Sequence, residues 1–242
     1  MCSNCGDLNV PPAARGSEGS TVGGARRKLT MNVKIASSRK RTAPKETRQK
    51  QLIMAAIDSI SKRGFSDTTL RHVTEKAKLS HGVVNYHFKN KEALYDATLG
   101  YLAKEHYDIW TQYYDNAKPT AAHRLAAIIS ADFDKKVCTH KRLAAWFAFW
   151  GQAKYRPNYL KIHNQYDNER YQKIAKICNE LVADGDYPDL DIERTTRSIE
   201  ALSDGSWLCL MLYPGGPDRE VFRDDCLYAL TRFFPKHFPL KD

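Results

Sequence analysis

No apolar run in this sequence approaches the ~20 residues that cross a bilayer; the longest candidate, Trp207 to Tyr213, is far shorter. No apolar signal core follows the N-terminus, so secretion is not expected and a cytoplasmic location is. A Gly-rich phosphate loop, a convincing apolar/polar alternation and an internal repeat are all missing, which sets aside nucleotide-loop enzymes, β-sheet folds and solenoids. His123, His140 and His163 have no nucleophile or metal partner at a recognisable spacing, so catalysis is not expected either. Cysteines stand at 2, 5, 138, 178, 209 and 226. Cys2 and Cys5 form a lone CxxC, half of what a zinc site needs, and the other four sit singly in apolar helical patterns and read as buried thiols. No metal and no cofactor is expected.

Acidic residues are scarce in the first part of the chain. Residues 1–95 carry 18 Lys and Arg against 7 Asp and Glu, whereas residues 96–242 carry 20 against 21. The net charge of +10 is thus confined to the N-terminal side, a footprint that attracts a polyanion through counterion release. Residues 1–43, rich in Gly, Ser, Pro, Arg and Lys, show no apolar periodicity and read as a disordered basic tail. Residues 45–95 hold a net +5 of their own, so the basic character extends past that tail.

From Lys45 the pattern turns helical. Leu52, Ala56 and Ile60 share a face that Ile53 and Ile57 widen, and Gly64 after Lys62-Arg63 is the expected stop. A short helix from Leu70 to Ala77, with Val73 inward, follows N-cap candidates at Ser66 to Thr69. Lys78-Leu79 makes a tight turn. Ser80 is then expected to cap a third helix through its side-chain oxygen, with Val83, Val84 and Phe88 inward. A long fourth helix runs from Lys91 to about Asn116, and later helices are expected at 120–137, 139–154, 157–184, 191–213 and 217–234. The expected class is all-α. A three-helix helix-turn-helix DNA-binding domain would occupy residues 44–92, and a larger helical domain residues 93–242.

Two short helices joined by a tight turn make a helix-turn-helix only by pattern; a generic helical hairpin looks similar. The run Thr69-Leu-Arg-His-Val-Thr-Glu-Lys-Ala-Lys-Leu-Ser-His-Gly-Val-Val-Asn-Tyr-His-Phe-Lys-Asn-Lys91-Glu-Ala-Leu94 closely resembles the signature of the TetR family of transcriptional regulators. Three positions depart from it: Thr74 replaces a small Ala, Lys78 replaces the turn Gly, and Asn85 replaces a common Tyr. The resemblance implies that Thr69 and Ser80 meet phosphate, that Gly82 permits close groove approach, and that His81 and Asn85 face base edges. It gives Tyr86, His87 and Lys91 backbone phosphates to hold, with packing on the fourth helix the alternative for Tyr86 and His87. Phe88 and Leu94 read as core. Arg39-Lys40-Arg41 reads as a solvated linker, with a minor-groove arm the alternative.

The family resemblance also implies a homodimer formed by the last two helices on a palindromic double-stranded operator, and an inducer held in the C-terminal domain. Ala131-Asp-Phe-Asp134, Ala145-Trp-Phe-Ala-Phe-Trp150 and Ala201-Leu-Ser-Asp-Gly-Ser-Trp-Leu208 are similar to the core of the family's choline-responsive, BetI-type repressors. A quaternary ammonium donates no hydrogen bond and is recognised by aromatic faces and a carboxylate. Trp110, Trp146, Phe149, Trp150 and Trp207 are the candidate aromatics, and plain core is their alternative reading. Asp204 is the candidate anion, with Asp132 or Asp134 second. The fourth helix is the expected lever between the two domains. The competing expectations are a regulator of another ligand and an architectural DNA binder without a pocket.

Overall fold

The structure is a computed structural model and describes residues 44–213 and 215–239. The basic tail, with Cys2, Cys5 and Arg39-Lys40-Arg41, lies outside the described residues. Within them are nine helices and no strand: α1 (Lys45–Asp67), α2 (Leu70–Ala77), α3 (His81–His87), α4 (Lys91–Asn116), α5 (Ala121–Ala131), α6 (His140–Ala153), α7 (Pro157–Gly185), α8 (Ile192–Leu212) and α9 (Arg219–Phe233). No described helix is long and apolar enough to cross a membrane.

The apolar stripe of α1 does what its spacing demands. Leu52, Ala56, Ile57 and Ile60 are buried, and α1 packs against α2, α4 and α6. Gly64 breaks the helix rather than ending it. Its φ of 79° leaves the helical region, where glycine is at home, and one further turn carries Phe65 into the core. Thr69 caps α2 by accepting from the His72 backbone N–H at 3.3 Å. Lys78 does adopt the left-handed conformation (φ 53°) that its position in the turn requires of a residue usually glycine. Ser80 occupies the N-cap of α3 but makes no side-chain cap bond, so its hydroxyl is not used by the helix as expected. Val84 and Phe88 anchor α3; Val83 is only half-buried.

The later helices begin at caps the sequence carries: Asn90, Thr120, Thr139, Asp191 and Asp218 each accept a backbone N–H through the side chain. The helix expected over 120–137 stops at Ala131. Leaving it there lets the Asp132 carboxylate reach Arg170 and His106 while its carbonyl accepts from Trp207 Nε1 at 2.8 Å. Phe133, Val137 and Cys138 are buried in the turn that follows. Cys178 and Cys226 are buried as expected, but Cys209 is only half-buried.

Candidate nucleic-acid interface and ligand cavity

On α3 the side chains of the proposed groove contacts face away from the core. His81, Gly82, Asn85 and Tyr86 are exposed, Tyr86 to 78%. Ser80, Gly82, Tyr86 and His87 line a shallow groove together with Lys45 and Arg48 from the first turn of α1. His81 and Asn85 stand beside this groove, one helical turn apart. Packing accounts for part of His87, whose Nδ1 is buried and lacks a hydrogen-bond partner among the described residues. Lys91, at the start of α4, carries its ammonium 5.1 Å from the centre of the Tyr95 ring. Tyr95 in turn donates to the Thr68 carbonyl at 3.0 Å, which ties α4 to the entry of α2. Lys45 and Arg48 are the residues sequence reasoning missed here; their only signal was the basic start of α1.

The second site is a cavity of about 360 Å³ between α4, α6, α7 and α8. Trp146 and Trp150 of α6 and Trp207 of α8 line it with His106, His163, Arg170, Glu200 and Asp204. The three indoles form one cluster: Trp146 lies 5.7 Å from Trp150 and 6.3 Å from Trp207, and Trp150 lies 6.4 Å from Trp207 with planes 17° apart. Those gaps leave no room for an ammonium between two rings, so a ligand would rest on their cavity-facing sides. Trp150 Nε1 is buried with no partner among the described residues.

Two of the sequence candidates stand elsewhere. Phe149 packs edge-on against Phe65, Tyr95 and Tyr159, on the side of α6 that meets α1. Positions 146, 149 and 150 span about 100° of the helix; the cavity takes one edge of that stripe, at 146 and 150, and the α1 side takes the other, at 149. Trp110 is 1% exposed and packs on Tyr107 behind the cavity, beside a void too small for a ligand. Asp134 is also remote; it accepts from Tyr113 and from the Lys136 backbone.

A chain of charges crosses the cavity floor. Arg170 is 3% exposed, donates to Asp132 Oδ2 at 2.6 Å and bonds Glu200 through its other terminal nitrogen. His106 meets the second Asp132 oxygen at 2.8 Å. Burial would raise the Asp132 carboxyl, but the charge of Arg170 and the His106 bond hold it below its ordinary value. Glu200 is pushed up to about 7, by burial and then by neighbouring carboxylates, against the pull of Arg170. Asp204, exposed at the rim, is pushed up to about 6 by the same balance. Asp204 has no ion-pair or hydrogen-bond partner among the described residues. The lining carboxylates Asp132, Asp167, Glu200 and Asp204 outnumber Arg170 and Arg197, so the cavity carries an excess of negative charge. Among the lining groups, sequence reasoning missed Arg170, Glu200, His106 and His163. Arg170 and Glu200 read as ordinary surface charges of amphipathic helices, and only the fold brings them under one roof.

Comparison with known proteins bears on both sites. Residues 52–98 match the family described as bacterial regulatory proteins, tetR family. Residues 121–235 match BetI-type transcriptional repressor, C-terminal. The chain is 30% identical to the HTH-type transcriptional regulator BetI of Burkholderia thailandensis over 72% of its own length and 86% of that protein's. The chain belongs to the TetR family, with a BetI-type C-terminal domain. It is therefore a transcriptional repressor of a family of regulators and not an enzyme. Solved structures agree on the fold. A putative transcriptional regulator from Pseudomonas aeruginosa PAO1 is 24% identical with a TM-score of 0.71, covering 82% of this chain and 96% of that one. A putative transcriptional regulator from Saccharomonospora viridis, solved in complex with choline, is 17% identical with a TM-score of 0.67, covering 77% and 96%.

Proposed function

We propose that this TetR-type repressor binds a palindromic operator as a homodimer and releases it when a quaternary amine of the choline class fills the α4–α6–α7–α8 cavity. The observation that carries the ligand reading is the junction of three indoles with an unpaired carboxylate, Asp204, in a cavity with surplus negative charge. Indole faces attract a cation that cannot donate hydrogen bonds, and Asp204 supplies the counter-charge. The choline complex of the Saccharomonospora viridis neighbour supports the same class of ligand. Glycine betaine would bring a carboxylate to a site already rich in them, so the alcohol is the better fit.

Residues 44–92 form the DNA-binding part in this reading, and 93–242 the ligand and dimer part. Thr69, Ser80, Tyr86, His87 and Lys91 take phosphates, with Lys45 and Arg48 added. His81 and Asn85 take base edges, and Gly82 lets α3 approach them. The dimer forms through α8 and α9, whose outer sides leave Leu202, Leu208, Leu212, Val221 and Tyr228 between 40% and 52% exposed. Two copies of that face would bury them in a four-helix bundle and set two α3 helices about one duplex turn apart, roughly 34–36 Å. Operator release then follows from tighter ligand binding to the form that cannot span the two half-sites.

The test pairs two titrations. Choline should quench tryptophan fluorescence saturably and release a palindromic duplex selected by the protein from a random pool. Selection of no palindrome, or of one that choline leaves bound, counts against the corresponding half of the reading.

A further inference from the structure

A ligand-released repressor needs a physical link between cavity and operator face. α6 has the geometry for one. Trp146 and Trp150 turn one side of it to the cavity, while Phe149 turns another to Phe65 at the end of α1, with ring centres 5.7 Å apart. The first turn of α6 is basic throughout, His140-Lys141-Arg142, at the end of a helix where the backbone dipole disfavours positive charge. Each of the two permanent charges is matched by a carboxylate from another helix. Arg142 forms a forked pair with Glu105 of α4, at 2.5 and 2.8 Å. Lys141 pairs at 2.8 Å with Asp58 of α1.

Asp58 is unusual in its own right. It is 5% exposed, yet no apolar stripe asks for a carboxylate there. Its Oδ2 meets Lys62 of α1 at 3.3 Å and Lys76 of α2 at 3.0 Å, while Oδ1 takes Lys141. Burial alone would raise its carboxyl; bonds from Lys141, Lys76 and Lys62 instead hold it far below the usual carboxylate range. One buried anion thus joins the supporting helix of the helix-turn-helix, the helix before its turn, and the helix that walls the cavity.

We propose that Asp58 and Lys141 are positioning residues for regulation: they clasp α6 to α1 and α2, so that a shift of α6 at Trp146 and Trp150 is delivered to the helix-turn-helix. This rests on the ligand reading above and adds to it the route by which occupancy is felt. The sequence pointed to α4 as the lever, and α4 takes part through Arg142–Glu105 and through His106 at the cavity. The Asp58 clasp links α6 to α2 itself, whereas α4 meets the entry of α2 through Tyr95. Lys141 and Trp146 are five residues apart, about 7.5 Å along the axis, close enough for a helix to move as a rigid rod.

The experiment measures the affinity of the intact protein for its selected duplex, without choline and with choline at saturation, alongside choline affinity from tryptophan fluorescence. Lys141→Met leaves Asp58 two lysines, which keeps its charge compensated. We expect choline affinity within about twofold of wild type, and the ratio of the two operator affinities reduced by about tenfold. Lys141→Arg should restore the ratio, and Lys62→Met, which cuts a contact internal to α1, should leave it unchanged. Lys76→Met, which frees α2 alone, should reduce it and serves as the second variant if the first is poorly folded. A wild-type ratio in both Lys141→Met and Lys76→Met overturns the clasp and leaves the ligand reading standing. Absence of choline binding to the wild-type protein overturns the ligand reading and the clasp with it.

Discussion

α3 and the cavity hold their polar groups under opposite conditions. On α3, His81, Gly82, Asn85 and Tyr86 stand in solvent, and the fold asks little of them. In the cavity, Asp132, Arg170 and Glu200 are tied to one another inside the protein, and His106 and Trp207 are tied to Asp132. A surface that meets a polyanion leaves its polar groups free until the partner arrives. A cavity lined by carboxylates and arginines must instead hold its buried charge in balance, because an uncompensated ion in the interior is costly. Mutations on α3 should therefore cost binding and spare folding. Mutations in the cavity floor should cost folding first, and least at Trp150 and Asp204, whose polar atoms have no hydrogen-bond partner among the described residues.

The largest effect expected is at Arg170. Arg170→Met strands Asp132 and Glu200 together and should lower unfolding free energy by about 3–5 kcal/mol in a urea titration. A loss under 1 kcal/mol would mean that the triad does not hold the cavity together. On the other side of the comparison, Asn85→Ala should weaken binding to the selected operator by about 1–3 kcal/mol and relax preference at one base position, with the urea midpoint unchanged. Lys91→Met should instead weaken all sequences alike and lower the salt slope by about one.

Trp150→Ala should leave operator affinity intact and cut choline affinity by about 0.5–2 kcal/mol, the range of a cation–aromatic contact. The smallest effect is with pH. Glu200 and Asp204 carry raised values of about 7 and about 6. A bound cation favours their ionised forms, so binding expels protons and tightens as pH rises from 5.5 to 8. Below about 6 Glu200 is largely protonated and Asp204 more than half so, and affinity should fall several-fold. His163, already lowered by burial, stays neutral through most of that window and does not reverse the sign. Calorimetry in buffers of different ionisation enthalpy would report the released protons directly.

Much of this architecture was legible in the chain itself. The 3.6-residue stripe of Leu52, Ala56 and Ile60 and the cap at Thr69 are local chemistry, and the structure follows them closely. The family signature over residues 69–94 made the helix-turn-helix readable. Helix ends failed where tertiary demands took over, at Ala131, where Asp132 is drawn to Arg170, and at Gly64, where Phe65 is drawn into the core. The structure brings Trp146, Trp150, Trp207 and Asp204 to one cavity and places Phe149 and Trp110 elsewhere. Spacing along one helix says which residues share a side; it does not say which of two adjoining sides faces a cavity. The Arg170–Glu200 pair and the Asp58 clasp join residues far apart in sequence, which leave no local signal.

The central claim is that a cation in the indole cavity controls the grip of α3 on DNA. Its most direct test is a choline titration of the protein–operator complex, following tryptophan fluorescence and duplex anisotropy in the same cuvette. The account predicts that both signals move together and saturate at one concentration, and that Trp150→Ala shifts both to higher choline. Operator release without a fluorescence change, or quenching that leaves the duplex bound up to millimolar choline, would contradict it.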